Sequence, residues 1–341
     1  MPDSSANPAV LSTRAGVVRA RALLYGPAPR DGVVARDDDL ERTRHMPGPI
    51  TPPAAIAFIG LGRMGVPMAQ RLAGAGFTLR GWDLAPPARL AASAAGIAPG
   101  ASAAEACRGA AAVITMLPDG TAVRAALEDP AVAATLTAET LVIDMSSSDP
   151  LGTRDLHATL AARGIALIDA PVSGGVARAI DGTLAIMAGG EAAAIDRAGA
   201  LFAAMGWHIF RCGPPGAGHA MKALNNYVSA AGLVAAIEAV AVGARFGLDP
   251  AIMVDVLNAS SGRNNSTEVK LKQHILSGGF GSGFSIGLMA KDVGIAGALA
   301  EGIGVDAPLA AEMARRWRAA ADRLGAGADH TAIARLILPA G

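Results

Sequence analysis

The stretch from Ala55 to Asp83, AIAFIGLGRMGVPMAQRLAGAGFTLRGWD, constrains this chain more than any other. An apolar run, Ile56 to Ile59, ends in Gly60-Leu61-Gly62-Arg63-Met64-Gly65. A helical pattern follows, then a second apolar run from Thr78 to Trp82, then Asp83. This order predicts strand, turn, helix and strand, with an acid at the end of the second strand. Gly60 permits the tight turn off the first strand. Gly62, lacking a side chain, lets a pyrophosphate approach the backbone, and Gly65 lets helix and strand pack closely. The helix N-terminus presents free N–H groups and a partial positive charge to phosphates. Asp83 is placed to accept hydrogen bonds from the adenosine ribose hydroxyls and to repel a 2′-phosphate. With 42 glycines in the chain, a G-x-G-x-x-G match alone is weak. The strand before it, the helix after it and the acid about 20 residues on make it a dinucleotide-binding fingerprint.

At 341 residues the chain suits two domains around a sizeable core. Hydrophobic residues make up 52% and charged ones 17%, a globular balance. The 29 basic and 29 acidic residues cancel, so charge gives no argument for a nucleic acid or an anionic membrane as partner. Val228 to Val242 is apolar but holds Glu238 and is too short for a membrane span. The two cysteines, Cys107 and Cys212, exclude a disulfide framework and read as reduced thiols of a cytoplasmic protein. Six scattered histidines suggest neither a metal site nor a triad.

Residues 1–53 read as an irregular, disordered extension, with an acidic run at Asp37-Asp38-Asp39 and a short helical pattern from Val10 to Leu24. Translation from Met46 would start a few residues before the first strand. From 54 to 215 apolar runs (55–60, 78–83, 111–116, 140–144, 165–169, 183–188, 207–211) alternate with Ala-rich helical windows. Such alternation predicts a doubly wound, mostly parallel sheet with helices on both faces, a Rossmann-type domain. From 216 to 341 only helical windows appear, at 217–246, 250–259, 266–277, 287–303 and 307–324, which predicts an all-helical second domain. The fold class is therefore α/β followed by α.

Ligands of such sheets bind at the carboxyl ends of the strands, so the residues that follow strands are the informative ones. Leu117-Pro118 forms either an apolar wall for a nicotinamide or an ordinary turn. In Asp144-Met145-Ser146-Ser147-Ser148, Ser147 is a cofactor candidate, while Ser148 or Asp149 reads as the cap of the helix at 149–163. Ser173-Gly174-Gly175 forms either a small anion nest or a glycine-rich turn. In the long helix, Lys222 and Asn226 stand four apart on one face. Lys222 has only Ala, Met and Leu around it and no acid at i±3 or i±4. It is either a partly buried lysine with a lowered pKa, usable as a proton donor and acceptor, or a solvated one at a helix edge. His219 reads as a packing residue near the helix start. Arg263 either clamps a carboxylate or lies in a surface loop whose Ser266 caps the next helix. Lys291-Asp292, in an otherwise apolar helical window, needs a buried pairing or a ligand.

Taken together, FIGLGRMGVPMAQRL, DAPVSGG, GAGHAMKALNN and the KD of LMAKDVGIA, in that order, resemble the 3-hydroxyisobutyrate dehydrogenase family, the β-hydroxyacid dehydrogenases that include tartronate semialdehyde reductases. The resemblance covers residues 54–325. It implies a dinucleotide held by the turn from Gly60 to Gly65, with Leu117-Pro118 on the nicotinamide side and Ser147 and Lys291 close to the cofactor. It implies a substrate carboxylate at Ser173-Gly174-Gly175, Lys222 as the catalytic lysine, Asn226 orienting the substrate and Asp292 beside Lys291. Ser147 stands where the family commonly has Thr. The segment SSGRNNSTE replaces a Ser/Thr-Gly-Ser-aromatic pattern, which is expected to place an extra cation or amide, Arg263 and Asn264, near the substrate pocket and speaks against 3-hydroxyisobutyrate itself as the substrate. Asp83 without a following arginine favours NAD over NADP. The expected activity is reversible oxidation of a small β-hydroxy acid by a homodimer or homotetramer. The alternatives are an NADPH-dependent reductase of tartronate semialdehyde or a related aldehyde acid, a non-catalytic dinucleotide sensor, and an imine-reductase-like relative, against which Lys222 argues.

Overall fold

The computed structural model describes residues 47–338. Residues 1–46, with the expected helix from Val10 to Leu24, and residues 339–341 lie outside the described residues. The last residues of the expected disordered extension, 47–53, are instead packed. Ile50 is buried, and its N–H donates to the Arg197 carbonyl at 2.9 Å, so an apolar side chain and a satisfied amide hold this segment to the domain.

The strands are β1 Ala55–Ile59, β2 Thr78–Trp82, β3 Ala98–Pro99, β4 Ala112–Thr115, β5 Leu141–Asp144, β6 Ala166–Asp169, β7 Val172–Ser173, β8 Leu184–Gly189 and β9 Gly206–Gly213. Between them run helices α1 Gly65–Gly74, α2 Pro86–Ala94, α3 Ala103–Cys107, α4 Gly120–Glu128, α5 Pro130–Ala133, α6 Pro150–Ala161, α7 Gly175–Asp181, α8 Ala192–Arg197 and α9 Gly199–Met205. One sheet joins them in the order β3-β2-β1-β4-β5-β6-β8-β7, with β9 on β8. The pairs from β3 through β6 are parallel, which is the six-strand order 3-2-1-4-5-6 of a Rossmann sheet. The order of strand addition reverses between β1 and β4, which stay parallel, so a crevice opens past Ile59 and Thr115. The two-residue strands β3 and β7 are too short to show a period in sequence. β8 runs antiparallel to β6 and β7, a departure from the parallel pattern. The core strands are apolar on both faces because helices cover both; β4 and β5 are buried at every position.

After the sheet come α10 Ala217–Phe246, α11 Pro250–Ala259, α12 Asn265–Val269, a π-helical turn Leu271–Leu276, α13 Ile286–Gly302, α14 Pro308–Leu324 and a 3-10 segment His330–Leu336. The window expected as one helix at 266–277 is thus two pieces, broken at Lys270. α10, with 30 residues, is long and apolar enough by composition to cross a membrane. In this fold its buried residues, Leu233, Val234, Ile237 and Val240 among them, join Met289 and Val293 of α13 and the fully buried Trp317 of α14 in a second core. At an order of magnitude of 1.5–3 kcal/mol per buried large side chain, such a core offsets the cost of ordering these helices.

Candidate active site

The start of α10 is pinned to the end of β6, and that joint positions the rest of the site. Asp169 is buried; its Oδ1 accepts the Gly216 N–H at 2.8 Å and its Oδ2 the His219 N–H at 2.9 Å. A carboxylate here satisfies orphan donors and complements the helix dipole. Burial pushes the Asp169 pKa up, against the lowering effect of His219 and these backbone N–H groups. Gly218 is required by close approach: a Cβ there would lie 2.1 Å from the Met187 carbonyl oxygen. The His219 ring is buried between Thr153 Oγ1 (2.9 Å) and the Ser146 carbonyl (3.1 Å), behind the cleft and not in its wall. It braces the strand ends.

One turn further, Lys222 and Asn226 are both buried and both line a cleft of about 1630 Å³. Burial holds the Lys222 pKa below the ordinary lysine value, with Asp292 acting against the shift and Lys291 adding to it. No described residue accepts a hydrogen bond from its ammonium group. Asn226 Nδ2 donates to Asp292 Oδ2 at 2.5 Å, and Asn225 Nδ2 donates to Asn226 Oδ1 at 3.0 Å. Asp292 is buried as well; burial raises its pKa, opposed by Lys291 and Lys222. The Lys291 ammonium, 3.8 Å from Asp292 Oδ1, donates to the carbonyls of Pro118 (2.7 Å) and Ser147 (2.9 Å). Lys291 and Asp292 therefore do both things left open by the sequence: they pair, and they face the cleft.

The glycine turn shows three different environments. Gly60 has φ +98, and a Cβ on it would meet the Met116 carbonyl oxygen at 2.3 Å. At Gly65 a Cβ would lie 1.9 Å from the Gly60 carbonyl oxygen. At Gly62 nothing stands within 4 Å, so its backbone is open to the cleft. Asp83 Oδ2 accepts the Leu61 N–H at 2.8 Å and Oδ1 the Ala85 N–H at 2.8 Å, which fixes the carboxylate at the cleft edge with lone pairs to spare. Arg89 stacks over the Trp82 ring at 4.5 Å and donates to the carbonyls of Asp83 and Leu84, so its guanidinium is engaged away from the carboxylate. These residues fit a dinucleotide: an open backbone for the pyrophosphate, a helix N-terminus behind it and an acid for the ribose.

Of the residues singled out in the sequence, Gly60, Gly62, Arg63, Met64, Gly65, Asp83, Leu117, Pro118, Ser147, Ser173, Gly174, Gly175, Lys222, Asn226, Lys291 and Asp292 all line this one cleft. Gly175 has φ +68 and open space where a Cβ would stand. Leu61 does not line it; its side chain is buried and only its N–H acts, on Asp83. Arg263 is not brought there either. It is exposed, outside the cleft wall, and pairs with Glu268 at 2.6 Å. That cap is Asn264 in a capping box with Thr267, not Ser266. Ser148 likewise is no cap: it donates to Asp144 Oδ2 at 2.8 Å, and Asp149 caps α6. Sequence reasoning missed Ser229, Asn265, Lys270, Gln273 and His274 in the cleft wall. Ser229 continues the Lys222/Asn226 stripe at i+7, a signal that was there to be used. The others sit where the helix breaks, which periodicity does not reveal.

A Rossmann sheet in this strand order, an open glycine turn, an acid at the end of β2 and a lysine buried in the same cleft define a dinucleotide-dependent oxidoreductase, with NAD or NADP as the cofactor. Residues 55–213 match the family described as the NAD binding domain of 6-phosphogluconate dehydrogenase, and residues 216–337 that described as the NAD-binding of NADP-dependent 3-hydroxyisobutyrate dehydrogenase. An NAD-dependent L-serine dehydrogenase of Pseudomonas aeruginosa is 40% identical over 74% of this chain and 88% of its own length. A 3-hydroxyisobutyrate dehydrogenase of the same organism is 39% identical over 82% and 97%. The solved structure of the Mycobacterium tuberculosis 3-hydroxyisobutyrate dehydrogenase with L-serine superposes with a TM-score of 0.78 at 37% identity, covering 83% of this chain and 99% of that one. The chain belongs to the 3-hydroxyisobutyrate dehydrogenase family of β-hydroxyacid dehydrogenases.

Proposed function

We propose that the chain oxidises a small β-hydroxy acid reversibly to the corresponding aldehyde or keto acid, with NAD preferred. The observation that carries this reading is Lys222: a buried lysine with a lowered pKa, in the dinucleotide cleft, on one helical face with Asn226. The glycine turn would hold the pyrophosphate and Leu117-Pro118 would flank the nicotinamide, which supplies hydride chemistry when bound. Ser173, Gly174 and Gly175 hold the substrate carboxylate. Neutral Lys222 takes the hydroxyl proton in oxidation, and its ammonium form returns it in reduction. Asn226, itself fixed by Asp292, orients the hydroxyl oxygen, and Lys291 ties the α13 face to the Pro118 and Ser147 carbonyls. Asp83 supports NAD over NADP: its carboxylate, fixed by the Leu61 and Ala85 N–H groups, would accept the ribose hydroxyls and repel a 2′-phosphate. The exposed apolar side chains of Val228, Val242 and Phe246 on α10 support a homodimer or homotetramer, and the free thiols Cys107 and Cys212 suit the cytoplasm.

The test is turnover of NAD with 3-hydroxyisobutyrate, 3-hydroxypropionate, glycerate and serine by wild type and Lys222→Ala. The variant loses about 10²-fold or more in kcat while NAD still binds. Near-normal turnover by Lys222→Ala overturns the assignment. NAD binding with no turnover of any hydroxy acid by wild type favours the sensor alternative.

A further inference from the structure

The substrate end of the cleft holds a cation that the proposed reaction does not use. Lys270 stands at the break between α12 and the π-helical turn, half-buried in the cleft wall. Its Nζ donates to Ser229 Oγ at 3.2 Å. It forms no salt bridge with any described residue, and Asp329 is the acid that acts on it from a distance, against a burial that lowers its pKa. A half-buried ammonium whose only described partner is a hydroxyl is a costly arrangement in a folded chain. An anion brought in by a ligand would complete it.

The helix sets the spacing. Ser229 lies seven residues beyond Lys222 on the same face of α10, with Asn225 and Asn226 between, all four in the cleft wall. Ser229, which holds the Lys270 ammonium, is therefore about two turns, about 10 Å along the helix axis, from Lys222. With a hydrogen bond of about 2.8 Å at each end, an axial spacing of that order suits a substrate chain of about four bonds between the two groups. Asn265 and Gln273 add amide donors at the Lys270 end, and His274 lines it too. The charge balance agrees. Asp292 answers Lys222 and Lys291, whereas the acid that acts on Lys270, Asp329, lies outside the cleft wall, and the other acids of that wall, Asp83 and Asp129, belong to the Rossmann half. A single carboxylate on the substrate, held at Ser173–Gly175, leaves Lys270 unanswered.

We propose that Lys270 forms a second anion subsite, and that the substrate is a β-hydroxy acid carrying a further carboxylate or sulfonate about four bonds beyond its carbinol group. This rests on the proposed hydroxy-acid reaction, which sets Lys222 as the reacting end. Steady-state kinetics with NAD would compare 2-(hydroxymethyl)glutarate, a dianion, with 3-hydroxypropionate, a monoanion. Wild type favours the dianion in kcat/KM by about tenfold or more. Lys270→Met reduces that preference by about tenfold, through KM, and Lys270→Arg restores most of it. An unchanged ratio, or an equal loss on both substrates, overturns the proposal.

A second measurement needs no turnover. In NAD-loaded protein, glutarate raises the Tm more than butyrate does, and Lys270→Met abolishes the difference. If wild type oxidises no hydroxy acid but glutarate stabilises it through Lys270, the subsite stands and the reaction falls. If glutarate and butyrate act alike on wild type, the subsite falls whatever the kinetics show.

Discussion

At the scale of single residues, the chemistry turns on Lys222 and on what sets its protonation. Its pKa is lowered chiefly by burial, and the Asp292 carboxylate limits that lowering. Oxidation needs the neutral amine, so kcat/KM for oxidation rises with pH through an apparent pKa below the ordinary lysine value of 10.5. Reduction falls over the same range. Asp292→Asn removes the charge that favours the ammonium form, so both profiles move to lower pH. Paired pH–rate profiles in the two directions check this; a profile that stays in place shows that Asp292 does not act on the lysine. A purely structural role for Asp292 would lower kcat without moving the profile.

At the scale of the elements, the β1–α1 turn separates folding from binding. Gly65 and Gly62 belong to one motif, yet only Gly65 is closed in by the protein. A Cβ on Gly65 meets the Gly60 carbonyl oxygen at 1.9 Å and the Phe58 ring at 3.2 Å, so Gly65→Ala costs about 1–3 kcal/mol of stability. A Cβ on Gly62 meets nothing within 4 Å. Gly62→Ala therefore leaves stability nearly unchanged while weakening NAD binding by about tenfold or more, because the methyl occupies the approach of the pyrophosphate. Denaturant unfolding without cofactor, set beside NAD titration, separates the two effects. Equal loss of stability in both variants contradicts this division. Elsewhere the elements were legible to the extent that they were long. The helical windows at 217–246 and 250–259 match α10 and α11, whereas β3 and β7, two residues each, and α3, α5 and α7 were not seen. Short elements carry too few periods to show, and sheet partners or caps set them.

At the scale of the whole molecule, the sheet and the helices share one cleft, and burial on the helical side brings a dependence on pH. His330 packs beside Trp317 and Phe284, and burial pushes its pKa down to about 4. It folds neutral and is protonated more readily when unfolded. Its contribution is thus present above about 6.5 and is lost as pH falls toward 4, about 3 kcal/mol in all. The Tm should drop between pH 7.5 and pH 5, and His330→Gln should flatten that dependence; an unaltered slope assigns the acid sensitivity elsewhere. By itself the sequence determined the Rossmann strand-helix alternation, the glycine turn with Asp83, the helical second half and the Lys222/Asn226 pair, because periodicity, glycine placement and helical spacing are local properties. Only the tertiary structure decided that Arg263 turns outward to Glu268, that Asn226 is held by Asp292 across 66 positions of chain, and that Lys270 enters the cleft wall to meet Ser229. Those outcomes depend on how α10, α12 and α13 pack against one another, and packing partners far apart in the chain leave no local period to read.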